Sequence, residues 1–206
     1  MGLVLDGARA PDQGHRAAAP DPNDSHLWAI YHRDFPALVT TVHHLTPAFD
    51  DGAIVPTFPN ARYLFGASEW DYWKDAPDPY GTNALDHALK PVFAAGLVDL
   101  VQTDHRICDE IRLIPTPGHT PGHVSVLINS NGEEAVITGD MFHHPLQMAN
   151  PGWIDMGDHE SELAERTRIA FMERFGNRPS LVLGTHFATP TAGKIVGARG
   201  GFRFIS

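Results

Sequence analysis

The sequence predicts an α+β fold in which strands dominate and helices are inserted between them. From Val98 to Thr138, short apolar runs of strand length alternate with turn chemistry. Stretches with helix start and stop signals stand before and after that series. Apolar residues make up 42% and charged residues 19% of 206 positions, the proportions of a globular chain with a core. That length favours one domain carrying an arm.

The chain opens without periodicity. Gly, Ala, Pro, Asp and Asn dominate from Gly7 to Ser25, so residues 1 to 25 read as irregular. His26 to Phe35 carries a short amphipathic element that Pro36 interrupts. Ala37 to Val42 is strand-like through Val39, Thr40, Thr41 and Val42, and Thr46 to Gly52 is turn chemistry. Ile54 to Phe58 and Arg62 to Phe65 are short strands around Pro59 and Asn60.

Ser68 is placed to cap a helix reaching Lys74, with Glu69 in its first turn. Thr82 or Asn83 caps a second helix, Ala84 to Ala95, which Gly96 stops and Pro91 kinks or divides. Strands follow at Val98 to Gln102, Ile107 to Ile114, Val124 to Asn129 and Ala135 to Thr138, with Ser130-Asn131-Gly132 as a hairpin turn. A helix spans Ser161 to Phe175, its apolar residues Leu163, Ile169, Ala170, Met172 and Phe175 fitting helical spacing loosely. Leu181 to Leu183 has the apolar run of a buried strand, and Gly193 to Val196 with Phe202 to Ile205 forms a last hairpin.

A formal net charge of -10 with no basic patch argues against nucleic acid and against an anionic membrane as partner. No apolar run approaches the length of a transmembrane helix. The single cysteine, Cys108, excludes a disulfide or cysteine zinc knuckle within the chain, and its strand-like setting reads as a structural thiol. Met1 to Ala10 lacks the pattern of a signal peptide, so the expected compartment is the cytoplasm.

Three residues carry chemistry. His119 lies in the Pro/Gly turn Pro115 to His123, Asp140 ends Thr138-Gly139-Asp140, and His186 ends Gly184-Thr185-His186. Each falls where a predicted strand ends, and strand ends bring side chains to one edge of a sheet. Imidazole with carboxylate suits zinc, and also iron or manganese. The plain alternative for His119 is a ring packed on its turn and bonded to a carbonyl. His123 reads as a surface residue, with support of the site as the other option.

Those motifs, in that order, resemble the metallo-β-lactamase-fold hydrolases, a group that includes lactonases, glyoxalase II-like thioesterases and phosphotriester hydrolases. The resemblance takes in Val55 to Tyr63, Glu69-Trp70, Gly139 to Pro145 and His186 to Gly193, and so runs from about residue 53 to 206. It implies a metallo-β-lactamase-like αβ/βα sandwich, here with its first half-sheet incomplete. It implies two metal ions, zinc or else iron or manganese, with His119 on one, His186 on the other and Asp140 bridging. The implied reaction is attack of a metal-held hydroxide on an ester, lactone or related bond, the substrate being a small molecule. His143 falls where several lactonases carry a tyrosine that bonds the substrate oxygen, which makes it the implied catalytic residue; a solvent-facing loop histidine is the alternative. Trp70, Trp73 and Trp153 line an apolar pocket or fill the core.

The family's first metal motif, His-x-His-x-Asp-His, is absent from the sequence. Val39 to Asp51 stands in its place, with His43, His44, Asp50 and Asp51 as the available substitutes. Residues 1–50 are therefore expected to be an irregular segment outside the family pattern, and residues 51–206 the family domain, N-terminally truncated or altered. A displaced reading frame upstream is one hypothesis for the abrupt change; other frames of the coding DNA holding no such motif would count against it. Three functional readings follow: a metal-dependent hydrolase, an inactive remnant with weak or no metal binding, or a metal-binding or interaction module that uses an exposed sheet edge. Missing strands would leave a sheet edge open to a second copy, giving a homodimer.

Overall fold

The computed structural model describes residues 2–6, 48–50, 53–56, 60–75 and 89–206. Strands are β1 (Gly2–Asp6), β2 (Ala48–Asp50), β3 (Ala53–Val55), β4 (Ala61–Gly66), β5 (Val98–Val101), β6 (Ile111–Pro115), β7 (Val124–Ser130), β8 (Glu133–Ile137), β9 (Leu181–Leu183), β10 (Ala192–Ala198) and β11 (Gly201–Ile205). Helices are α1 (Ala67–Trp73), α2 (Lys90–Ala94), α3 (Leu146–Ala149) and α4 (Ser161–Phe175). The α+β class is borne out. The chain falls into two compact units, Met1–Phe65 with Trp73–Val101, and Gly66–Tyr72 with Gln102–Ser206.

In the first unit, β4 is the middle strand of a three-stranded sheet, β1-β4-β5, and β2 pairs with β3. β1 runs antiparallel to β4, from Gly2 opposite Phe65 to Asp6 opposite Ala61. The sequence reading left residues 1 to 25 irregular. Leu3-Val4-Leu5 is strand-prone but too short to read alone, and the pairing with β4 defines it. The elements expected at His26 to Phe35 and Ala37 to Val42 lie outside the described residues. So does the start of the helix expected from Ala84. Pro91 sits in the first turn of α2, where a proline is tolerated, and the residues before Leu89, where a kink or a division of the expected helix would show, lie outside the described residues. Gly96, at φ 68°, stops the helix as expected.

The second unit holds a six-stranded sheet of order β11-β10-β9-β8-β7-β6. β6, β7 and β8 are antiparallel neighbours, and β8 runs parallel to β9. It follows that β6, β8 and β9 all point the same way and end at one edge of the sheet. Asn131 and Gly132, at φ 52° and 82°, give the β7–β8 hairpin its tight turn. β6 begins later than the sequence implied, because Ile107 and Cys108 both donate N–H to Ile111 O and close a loop ahead of it.

α4 has the bounds that its sequence predicts, and Met172 and Phe175 are buried as expected, but the rest of the buried face differs. Ala164, Arg168, Phe171, Met172 and Phe175 are inside, while Ile169 is exposed. The buried set recurs every three to four residues, as a helix face must. Phe171, Met172 and Phe175 join Leu127, Val136, Val182, Phe142 and Ile195 in the core. α1 begins at Ala67, so Ser68 lies within its first turn instead of capping it.

Candidate functional site

The shared strand direction brings His119, Asp140 and His186 together in the second unit. His119 follows β6. Asp140 lies in the 3-10 turn Gly139–Met141 directly after β8, and His186 follows β9. His186 Nε2 is 3.0 Å from Asp140 Oδ1, and His119 Nε2 is 4.0 Å from Asp140 Oδ2. The carboxylate therefore stands between two imidazoles, one toward each oxygen. His143 joins them, its ring stacked on His186 at 4.4 Å between centroids and 5.1 Å from the ring of His119.

The turn carrying His119 is clamped from two sides. Gly118 has φ 130°, and a Cβ there would lie 2.3 Å from Ala164 N at the start of α4. Gly118 O and His119 O accept the N–H groups of Glu160 and His159, and Thr167 Oγ1 donates to Pro117 O at 2.6 Å. On the other side Thr120 Oγ1 donates to buried Glu69 Oε1, and a Cβ on Gly122 would meet Ser68 Oγ at 2.4 Å.

His123 is a correction to the sequence reading, which placed it on the surface. It is 1% exposed. Its Nδ1–H donates to Thr116 O at 2.9 Å, and its Nε2 accepts the backbone N–H of Asp140 at 3.0 Å. Both ring nitrogens are used by the neutral imidazole, and burial pushes its pKa down to about 3. The ring ties the end of β6 to the turn that presents Asp140. Pro/Gly spacing around it pointed to an exposed turn, whereas β7 carries it back into the core.

Three further groups escaped the sequence reading. Asp158 Oδ1 accepts from His119 Nδ1 at 3.3 Å, and its Oδ2 accepts from Arg168 Nη2 at 2.7 Å, with both side chains of that ion pair fully buried. Arg168 Nε also donates to Met141 O at 2.8 Å. Asp158 thereby sets the His119 ring, leaving Nε2 directed inward, as carboxylates do behind metal-binding histidines. Arg168 on the buried face of α4 was the available signal, since a buried guanidinium requires an anion. Asp155 N–H donates to Asp158 Oδ2 at 3.0 Å, and Asp155 Oδ2 lies 3.8 Å from His143 Nδ1.

Electrostatics follow from this packing. Burial raises the Asp140 carboxyl, but the hydrogen bond from His186 and the surrounding imidazoles outweigh it and hold the group well below the usual carboxylate range. Burial likewise opposes ionisation of Asp158, and the bonds from His119 and Arg168 bring it down to about 2. Asp140 raises the pKa of His186. Burial, with His186 and His119 alongside, lowers that of His143.

A divalent ion fits this donor set. His143 Nδ1 is buried with no hydrogen-bond partner, a cost that a ligand ion would remove. One atom from each of His119, His143 and Asp155 lies within 4.8 Å of the others. His43, His44 and Asp51 lie outside the described residues, and Asp50 is described only as part of β2. Trp70 and Trp73 are half-buried and Trp153 is exposed, so Trp153 is not core.

A profile of the metallo-beta-lactamase superfamily matches residues 48–186. Among solved structures, the chain is similar to the dizinc quorum-quenching lactonase AidC, in complex with a homoserine product. The TM-score is 0.64 and the identity 22%, over 79% of this chain and 62% of that one. It is similar to AbOPH, a hydrolase of the beta-lactamase superfamily, at TM-score 0.67 and 24% identity, over 88% of this chain and 62% of that one. A probable metal-dependent hydrolase from Staphylococcus aureus aligns at TM-score 0.55 and 20% identity, over 69% of this chain and 50% of that one. The chain thus spans less than two thirds of the length of each. No curated protein matches it. Identities this low establish likeness of fold, and the profile covers more than half of the 206 residues. The chain belongs to the metallo-beta-lactamase superfamily.

Proposed function

We propose that the chain is a metal-dependent hydrolase acting on a small molecule through an ester, lactone or related bond. The observation that carries this is the meeting of His119, Asp140 and His186 at one sheet edge in a family of metal-dependent hydrolases. These three residues would hold the metal, with zinc, iron or manganese suited to their donors. Bound there, a divalent ion supplies a water of lowered pKa and neutralises charge developing on the scissile carbonyl. The chain's own residues hold the site in shape. Asp140 is kept anionic between two imidazoles, Asp158 and Arg168 orient His119, and His123 fixes the backbone of Asp140. By resemblance, His143 donates to the substrate oxygen.

The absence of His-x-His-x-Asp-His from the sequence favours a second reading, an inactive remnant of the fold. Hydrolysis of a generic lactone and an aryl ester, with metal analysis of the purified chain, separates the two. The hydrolase reading expects turnover that a chelator removes and that His119→Ala and His186→Ala each abolish. Parental activity in either variant would show the site to be wrong; no metal and no turnover would establish the remnant. The reading also places the chain in the cytoplasm, as a homodimer joined along a sheet edge, which light scattering tests. Among the described residues no helix is long and apolar enough to cross a membrane.

A further inference from the structure

Three side chains converge on one point, two of them with one donor atom already bonded and the other left facing it. His119 gives its Nδ1–H to Asp158, which leaves Nε2. Asp155 accepts the Gly157 N–H on Oδ1 at 2.8 Å, which leaves Oδ2 toward His143 Nδ1 at 3.8 Å. His143 is held by its backbone, its N–H donating to Gln147 Oε1 at 2.7 Å, and its Nδ1 is the buried atom with no hydrogen-bond partner. Gln147 is itself buried and donates to Trp153 O at 3.1 Å, tying the loop after Asp140 to the loop that carries Asp155.

Ligand atoms around a tetrahedral zinc, at about 2.0–2.1 Å from the ion, stand about 3.4 Å apart. The His143–Asp155 separation of 3.8 Å is close to that edge, and the 4.8 Å limit on the triad asks only for a small closure. Two imidazoles and one carboxylate form the donor set of a zinc site that keeps an open position. The outer atoms of His119 and Asp155 are fixed by Asp158 and Gly157, and Gln147 holds the backbone of His143, which is how a site is held ready before its ion arrives.

We propose that His143 and Asp155, with His119, form a metal-binding set that completes the coordination left short by the absent His-x-His-x-Asp-His motif. The ion they take is a divalent cation of the zinc class. The inference rests on the metal-dependent reading above and changes the task of His143, from hydrogen-bonding the substrate oxygen to holding the ion. It adds Asp155, which lies well outside the sequence motifs of the family resemblance.

The test is equilibrium binding of cobalt(II) and zinc to the full chain, followed by visible absorption of the bound cobalt and by metal analysis. Asp155→Asn keeps the Oδ1 acceptor for Gly157, and His143→Phe keeps a ring to stack on His186. Each is expected to weaken binding by tenfold or more and to alter the cobalt spectrum, with the parental thermal transition retained. Parental affinity and spectrum in both variants would overturn the proposal. If a chelator still removed hydrolysis in those variants, the hydrolase reading would stand without it. A parent chain that takes up neither ion would overturn both. Should Asp155→Asn lose its folding transition, His143→Phe decides alone.

Discussion

Asp158 spans Arg168 and His119: Oδ2 accepts from Arg168 Nη2 at 2.7 Å and Oδ1 accepts from His119 Nδ1 at 3.3 Å, with neither carboxylate nor guanidinium reaching solvent. A stability device and a site-orienting device are therefore one group. Removing a partner from a buried ion pair strands the other charge, and that penalty exceeds what the pair itself contributes. Arg168→Met is expected to cost about 3–5 kcal/mol, read from urea denaturation. The double variant Arg168→Met/Asp158→Leu should recover part of the loss. A cost in the single variant no larger than that of an exposed pair would contradict this.

Asp158→Asn addresses the other end of the bridge. The amide still accepts from His119 but no longer neutralises Arg168 or strengthens the basicity of the His119 ring. Metal affinity should fall by about 10–100-fold, the range for carboxylates behind ligating histidines. Competition with a chromophoric chelator measures it, and unchanged affinity would show that His119 is oriented by its turn alone.

Gly118→Ala probes that turn. A side chain at φ 130° is strained, and the new Cβ would fall 2.3 Å from Ala164 N. Strain of this kind costs about 1–3 kcal/mol before the clash with α4 is counted. Thermal denaturation should show at least that loss. Gly132→Ala, whose Cβ meets no atom within 4 Å, should lose less.

His123 makes the metal-free protein sensitive to acid. Its folded pKa, about 3, lies below the ordinary value of 6.5, so the unfolded chain binds the proton first. Stability from this group is complete above pH 6.5 and declines by about 1.4 kcal/mol per unit as pH falls toward 3. His186, whose pKa is raised, acts in the opposite sense: its contribution is present below pH 6.5 and is lost as pH rises through its folded value. Urea midpoints of chelator-treated protein at a series of pH values should show His123→Gln with a shallower fall between pH 6 and 4 than the parent. Parallel slopes would mean that His123 is not a buried neutral group.

Much of the second unit was legible. Val124 to Ile137 carries its own hairpin turn, Ser161 to Phe175 its own helix, and Leu181 to Leu183 an apolar run too short for anything but a strand. These are local signals, written in neighbouring residues. The three markers His119, Asp140 and His186 were legible for the same reason, each beside glycine or proline at a strand end. Less could be read where a partner far along the chain decides the outcome. Leu3-Val4-Leu5 becomes a strand through β4, some sixty residues away, and the buried face of α4 is chosen by the sheet it covers.

By itself, then, the sequence determined the α+β class, the family and the order of His119, Asp140 and His186, since these reside in composition, turn chemistry and short motifs. Only the tertiary structure decided what surrounds them. His123 is buried because β7 returns under the turn, and Arg168 meets Asp158 because α4 lies against the loop before it. Asp155 comes within reach of His143 through Gln147 and Asp158. Desolvation and hydrogen-bond geometry act between residues distant in the chain, and no local pattern encodes which of them will meet.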